Sequence, residues 1–323
     1  MISIFLKSQK MENKPNFFIV GAAKAGTTAL QEMLNRHPNI YMSPIKEPHF
    51  FSKDIRKTDF ISLNKKIQTD KIEFDSKGNI ITRHQLYIDT EESYLSLFEA
   101  SNKENHKIKG EASVSYLYSK DAAKNIYSFN PESKIIIILR NPIERAFSHF
   151  LMDLRLGNTN YTNFMDAVKS DFDNKNKGWG VSHLYIELGL YYNQIQRYFK
   201  VFPKAQIKIY SYEEFKKNNQ VIIKDIYKFL DVPFFELDLK NNSNKAEIIK
   251  NKYYQKLYSK FRPLLGKFIS NEIKSKIKGH IFTAKGLPLL SGNEKKLMKH
   301  YFLDDINELK KITSIDITSW ENK

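Results

Sequence analysis

The chain contains no cysteine, which excludes disulfide staples, thiolate metal ligands and a thiol nucleophile together. Long apolar runs are missing too. The longest purely aliphatic stretch is Ile135–Leu139, far short of the roughly 20 residues a membrane span needs. Met1–Lys10 offers one short apolar patch with a lysine inside it and reads as neither signal peptide nor anchor. These absences lead us to expect a cytoplasmic protein able to associate with a membrane surface. Acidic residues are few, 36 against 52 Lys and Arg, for a net charge of +16. That balance favours polyanionic partners, although a composition rich in Lys, Asn and Ile can produce the same surplus on its own. There is no zinc-type spacing, RNA-binding aromatic signature or basic tail, so nucleic acid is not expected.

What is present suits a folded core: 41% hydrophobic and 27% charged residues in 323. Phe17–Gly21 and Lys134–Arg140 read as buried strands, and Ile40–Met42, Lys107–Gly110 and Gln206–Tyr210 as shorter ones. Helices are expected over Thr27–Arg36, from an Asp89-x-x-Glu92 capping box to Ala100, and after Asn141-Pro142 with Glu144 reaching back to the cap. Further helices are expected over Leu184–Phe199, Gln220–Leu230, Tyr253–Leu265 and Glu294–Ile312, with a loop at Asn241–Lys245 and a hairpin around Asp75–Asn79. Alternating strands and helices predict an α/β fold, P-loop-like and three-layered, with a central mostly parallel sheet flanked by helices. We expect a flexible segment at 1–14, a single domain over 15–323, and an insertion at about 52–88.

Two strand ends carry chemistry. Gly21-Ala22-Ala23-Lys24-Ala25-Gly26-Thr27-Thr28 joins a strand to a helix, where backbone N–H groups and the helix dipole favour an anion. The spacing of Gly21, Gly26 and Thr28 is that of a nucleoside-triphosphate loop, but the lysine precedes the second glycine instead of following it. The second strand ends in Arg140-Asn141 rather than the aspartate that would hold Mg²⁺. No metal is therefore expected. Arg140, with Ser148 eight residues on, can hold a second phosphate as fork and hydroxyl donor; alone, such an arginine is as often a surface ion pair. A third segment, Ser43–Phe51, places Glu47 and His49 between prolines, and either could take a proton from an acceptor hydroxyl.

These segments resemble the PAPS-dependent sulfotransferase superfamily, closest to its heparan-type and bacterial carbohydrate-modifying branch, from about Phe17 to Trp320. The resemblance implies transfer of a sulfuryl group from 3′-phosphoadenosine-5′-phosphosulfate (PAPS) to an acceptor hydroxyl, with 3′-phosphoadenosine-5′-phosphate as product. It implies that Lys24, Ala25, Gly26, Thr27 and Thr28 bind the 5′-phosphosulfate, that Lys24 also stabilises the leaving phosphate, and that Arg140 and Ser148 bind the 3′-phosphate. It makes Glu47 the base and His49 an auxiliary group on the acceptor side, and it implies a carbohydrate or glycolipid acceptor. Lys285-Gly286-Leu287 resembles a nucleotide lid of the type Lys-Gly-Arg with the arginine replaced, and Ala112 stands where an acceptor-binding lysine is common. The rival readings are a P-loop kinase using ATP and Mg²⁺ and a non-enzymatic polyanion-binding protein. Trp179, between two glycines, either stacks on a sugar or anchors its loop; Tyr116, Tyr185 and Tyr191 read as packing, and Tyr301–Trp320 as a structural C-terminal segment.

Overall fold

The computed structural model describes residues 14–55, 72–76, 78–82, 85–103, 106–237, 248–249, 282–283 and 288–320. The predicted helix at Tyr253–Leu265, the loop at Asn241–Lys245 and the lid residues Lys285 and Gly286 lie outside the described residues. The apolar runs form strands because each is covered on both faces: every residue of β1 (Phe17–Gly21) is buried, as are five of six in β4 (Lys134–Leu139). With β2 (Ile40–Met42), β3 (Ile108–Ala112) and β5 (Ile207–Ser211) they make one sheet in the order β2-β3-β1-β4-β5. Every pairing in it is parallel. All five carboxyl ends therefore lie along one edge. β1 is flanked by β3 and β4, so the chain leaves β1 toward one side of the sheet and later returns on the other, the arrangement that opens a ligand crevice.

In chain order the helices are α1 (Thr27–Leu34), α2 (Glu91–Ser96), α3 (Glu99–Lys103), α4 (Ser115–Tyr118), α5 (Ala122–Phe129), α6 (Pro142–Leu156), α7 (Phe164–Asp173), α8 (Tyr191–Phe199), α9 (Tyr212–Lys217), α10 (Asn219–Leu230), α11 (Gly292–Lys299) and α12 (Leu303–Ile312). Ile248–Ile249 and Phe282–Thr283 form a short antiparallel pair. Among the described residues, no helix is long and apolar enough to cross a membrane.

Several local expectations change. The cap of α2 is Thr90, whose extended backbone lets its hydroxyl accept the Ser93 N–H at 3.2 Å, so the box on Asp89 and Glu92 is not formed. At α6 the cap is Asn141 as expected, accepting from Ile143 and Glu144 N–H at 3.0 and 3.2 Å, with Pro142 in the first turn. Glu144 does not reach back to it. The Asn141 N–H is taken by Glu213 at 3.1 Å, and Glu144 faces Arg140 at 3.6 Å. The stretch predicted as one helix from Leu184 becomes a 3₁₀ turn at Glu187–Gly189 followed by α8. The break falls at Leu190, whose backbone (φ −84°, ψ 85°) is not helical, beside Gly189, which passes so close to Phe302 and Pro142 that a Cβ would stand 2.9 and 3.0 Å from them; ahead of it, Asp171 takes the His183 and Tyr185 N–H groups at 2.8 and 3.0 Å. Likewise Glu294–Ile312 divides into α11 and α12. The hairpin is present, Phe74 pairing with Ile80 across a turn in which Asp75 accepts the Asn79 N–H at 2.8 Å.

The sheet is tightly fitted at the β1–β3 seam, where Phe17 is paired with Gly110 and a Cβ on Gly110 would lie 2.1 Å from the Phe17 ring. Phe17 is fully buried and cannot step aside without displacing its neighbours. Gly110→Ala is expected to cost roughly 1–3 kcal/mol of stability, the range for overpacking a closed core. Urea unfolding checks this; an unchanged midpoint would show that Phe17 is free to move.

Candidate active site

The loop between β1 and α1 turns sharply, with Lys24 at φ 68° and Gly26 at φ 88°. Gly26 is needed for space as well as angle, since a Cβ there would stand 3.0 Å from the Tyr212 ring. It also opens α1 without any side-chain cap, leaving that turn's donors to a ligand or solvent. Arg140, just past β4, donates from Nη1 to the Lys24 carbonyl at 3.3 Å and lies 4.8 Å over the Tyr212 ring. Lys24, Gly26 and Arg140 thus converge on one face of Tyr212. The Arg140 Nε is buried without a partner.

α6 supplies the opposite wall. Glu144, Ser148 and Met152 recur at intervals of four and share one helix face. Lys24 Nζ donates to Met152 Sδ at 3.4 Å, and Ser148, one turn before Met152, is half-buried. Burial pushes the Lys24 pKa down to about 8; Arg155 adds to this, Asp153 opposes it, and Arg140 and Arg145 press it further down. Arg145 is fully buried, donates to the Tyr185 carbonyl, and leaves Nε and Nη1 unpartnered. Three arginines thus act on one buried lysine, with Asp153 opposing them and Glu144 facing Arg140.

Asp153 is the chief counterweight. It accepts from Tyr185 Oη and His183 Nδ1, each at 2.8 Å, and faces His149 at 3.7 Å. Burial works against charge on His183, but the hydrogen bond and charge of Asp153, with Asp171, hold its pKa above the ordinary value. Burial drives His149 the other way, to about 3, so that imidazole is neutral.

Glu47 and His49 form a second group, past the ends of β2 and β3. Both have left-handed backbones, at φ 59° and 54°, a conformation that costs of order 1–3 kcal/mol in a non-glycine residue unless its surroundings enforce it. They do: the Glu47 N–H donates to Ala112 at 2.9 Å, while Leu86 and Ile88 donate to the Glu47 and Pro48 carbonyls at 3.1 and 3.0 Å. The Glu47 carboxylate is buried, ion-paired with Lys46 through Oε1 and accepting the Val114 N–H through Oε2 at 2.8 Å. His49 stacks on Tyr87 at 4.2 Å, with Nδ1 2.6 Å from Ser115 Oγ and Nε2 3.1 Å from the Gln85 amide nitrogen. Because that amide only donates, the network reads His49 as neutral with the proton on Nδ1. Beneath lies Glu111, fully buried; burial and the Glu47 charge push its carboxyl well above the usual range, against the pull of Tyr116 and Lys46.

The structure therefore brings Lys24, Ala25, Gly26, Thr27, Thr28 and Arg140 together, places Ser148 on α6 between Glu144, which faces Arg140, and Met152, which meets Lys24, and sets Glu47 and His49 along the same sheet edge. Sequence reasoning missed Lys46, Met152, Tyr212 and the Asp153 network. Only Met152 had a signal, its helical spacing from Ser148. Tyr116, Tyr185 and Tyr191 are fully buried, as expected of packing residues.

Comparison with known proteins gives a consistent family. A family model described as Sulfotransferase domain matches residues 14–286. Carbohydrate sulfotransferase 15 of Rattus norvegicus is 25% identical over 254 residues, 68% of this chain and 44% of that protein. Bifunctional heparan sulfate N-deacetylase/N-sulfotransferase 2 of Homo sapiens is 24% identical over 235 residues, 72% of this chain and 24% of that protein. The chain thus spans less than half the length of these curated relatives. A solved sulfotransferase from Alicyclobacillus acidocaldarius is 26% identical, with a TM-score of 0.67 covering 95% of this chain and 99% of that one.

Removing the Asp153 charge tests the electrostatic reading. In Asp153→Asn the His183 pKa is expected to fall, because the interaction favouring its charged form is lost. An NMR pH titration of the imidazole C–H resonances measures it; an unmoved His183 would mean Asp153 does not set its charge.

Proposed function

Because this chain belongs to the sulfotransferase domain family, we propose that it transfers a sulfuryl group from PAPS to a hydroxyl of a carbohydrate or glycolipid, with Glu47 as base. The observation that carries the reading is the cation cluster at the ends of β1 and β4. Lys24 is held partly deprotonated by burial and by Arg155, Arg140 and Arg145, and Arg140 keeps a buried N–H without a partner. Both conditions are relieved by a bound anion. These residues fit a bisphosphorylated nucleotide: Lys24 to Thr28 at the 5′ side, Arg140 and Ser148 at the 3′ side. When bound, PAPS supplies an activated sulfuryl group and a phosphate leaving group. Lys24 then meets the charge that develops on that phosphate, an electrostatic contribution of the kind that dominates many such reactions.

Glu47 is preferred over His49, whose two ring nitrogens are both engaged, by Ser115 and Gln85. The Glu47 carboxylate is held by Lys46 and by the Val114 N–H, which fix its orientation on the loop. The names of the relatives support a carbohydrate acceptor. The cysteine-free composition fits a reducing compartment, and we place the protein in the cytoplasm.

Calorimetric titration with 3′-phosphoadenosine-5′-phosphate, beside ATP with Mg²⁺, tests the cofactor. The bisphosphate is expected to bind without metal, and Arg140→Ala to weaken it by about 1.5–3 kcal/mol. The free Lys24 titrates near pH 8 and the bound phosphate raises its pKa. Binding at pH 8 should therefore take up protons, and affinity should fall as pH rises above that point. Lys24→Ala should abolish the uptake. Preference for ATP with Mg²⁺ would make the protein a P-loop kinase instead. Glu47→Gln should keep bisphosphate affinity and lower turnover by roughly 10²–10⁴-fold; near-normal turnover would remove Glu47 as base.

A further inference from the structure

The two tryptophans of the chain are held differently. Trp320 is 2% exposed, its Nε1–H donating to Glu213 at 3.1 Å. Trp179 is only half-buried although its segment is firmly built. Val181 and Ser182 both donate to the Gly178 carbonyl at 3.0 Å, Gly180 supplies φ 76°, and Lys177 is paired with Glu187 at 2.7 Å. A residue that merely anchored this loop would be covered as Trp320 is. Instead the turn carries the indole to the second group of the site: its Nε1–H donates to Tyr87 Oη at 3.2 Å, and its ring lies 6.0 Å from His49 and 6.2 Å from half-buried Tyr118.

We propose that Trp179 and Tyr118 form the floor of an acceptor subsite for an uncharged pyranose ring, seated beside the loop that carries Glu47 and His49. The identity of that loop rests on the sulfotransferase reading above. One face of a pyranose presents C–H groups that pack on an aromatic surface, while its hydroxyls project sideways, here toward Gln85 and Tyr87. The charge pattern favours a neutral sugar over an acidic one. Among the described residues that pack here, Lys46 and Lys177 are each paired with a carboxylate, Glu47 and Glu187, while Arg197 keeps its charge and donates from Nη2 to the Leu117 and Tyr118 carbonyls at 2.9 and 3.0 Å. Position 112, whose carbonyl anchors Glu47, is alanine and offers no charge to a sulfate or uronate. The cation surplus of the molecule's site lies instead at the nucleotide side.

The test applies the full-length protein, loaded with 3′-phosphoadenosine-5′-phosphate, to an array of neutral and acidic glycans, as wild type, Trp179→Ala and Trp179→Phe. Wild type should bind neutral glycans. Trp179→Ala should weaken them about tenfold or more, the size of one aromatic stacking contact, and Trp179→Phe should keep most of the affinity. Bisphosphate affinity, measured separately, should be equal in all three and shows that the variants fold. Binding confined to acidic glycans, no glycan binding, or equal binding by Trp179→Ala would overturn the subsite. Failure of the wild type to bind the bisphosphate would overturn the sulfotransferase reading and the subsite with it.

Discussion

Like charges repel, and the structure forces several together where β1 and β4 end. Lys24, Arg140, Arg145 and Arg155 act on one another closely enough to depress the lysine, with Asp153 the main carboxylate among them. Such an arrangement is unfavourable in isolation and persists only because other parts of the fold over-determine it. The rigid platform is the sheet, whose central strands are buried on both faces. α6 is the second support: one helix, started by Asn141 and Pro142 and stopped by Gly157, carries Glu144, Arg145, Ser148, Met152, Asp153 and Arg155. Fixing that helix fixes most of the electrostatics at once.

The Glu47 loop is held by a different means. There the cost is conformational, two left-handed residues within three positions, and it is met by backbone hydrogen bonds on both sides. Ala112 receives the Glu47 N–H, and Leu86 and Ile88 close from the other flank. Glu111 lies fully buried below, its carboxyl pushed well above the usual range by burial.

What could be read in advance follows from the range of the interactions. β1, β2 and α6 were legible because their signals are local: continuous apolar runs, and an Asn-Pro start. Lys24 to Thr28 could be proposed together because they form one contiguous loop, whereas Arg140 and Glu47 meet Lys24, Tyr212, Ala112 and Val114 from distant segments, contacts the sequence does not display. The break before Tyr191 was not legible either, since Gly189 is pressed against Phe302 and Pro142, residues far from it in sequence. The same holds for Trp179, Tyr87 and His49, which meet from three separate segments. For Trp179 the residues admitted both an anchor and an exposed platform, and only its partial burial separates them. Thr90 displaced Asp89 as cap because the backbone angles at that residue decide which side chain reaches the free N–H groups.

The two halves of the site share their supports. The cation cluster is braced by β1, β4 and α6, and the Glu47 loop by the end of β3 and the 85–88 segment, but β1 is itself paired with β3, and Ile19 receives the Ser113 N–H at 3.1 Å. The segment that carries Trp179 is tied to α6 in turn, by His183 to Asp153 and by Tyr185 to Arg145. A backbone shift on one side is therefore felt on the other. A chain built in this way can change what it modifies by exchanging side chains, with its loops left where they are.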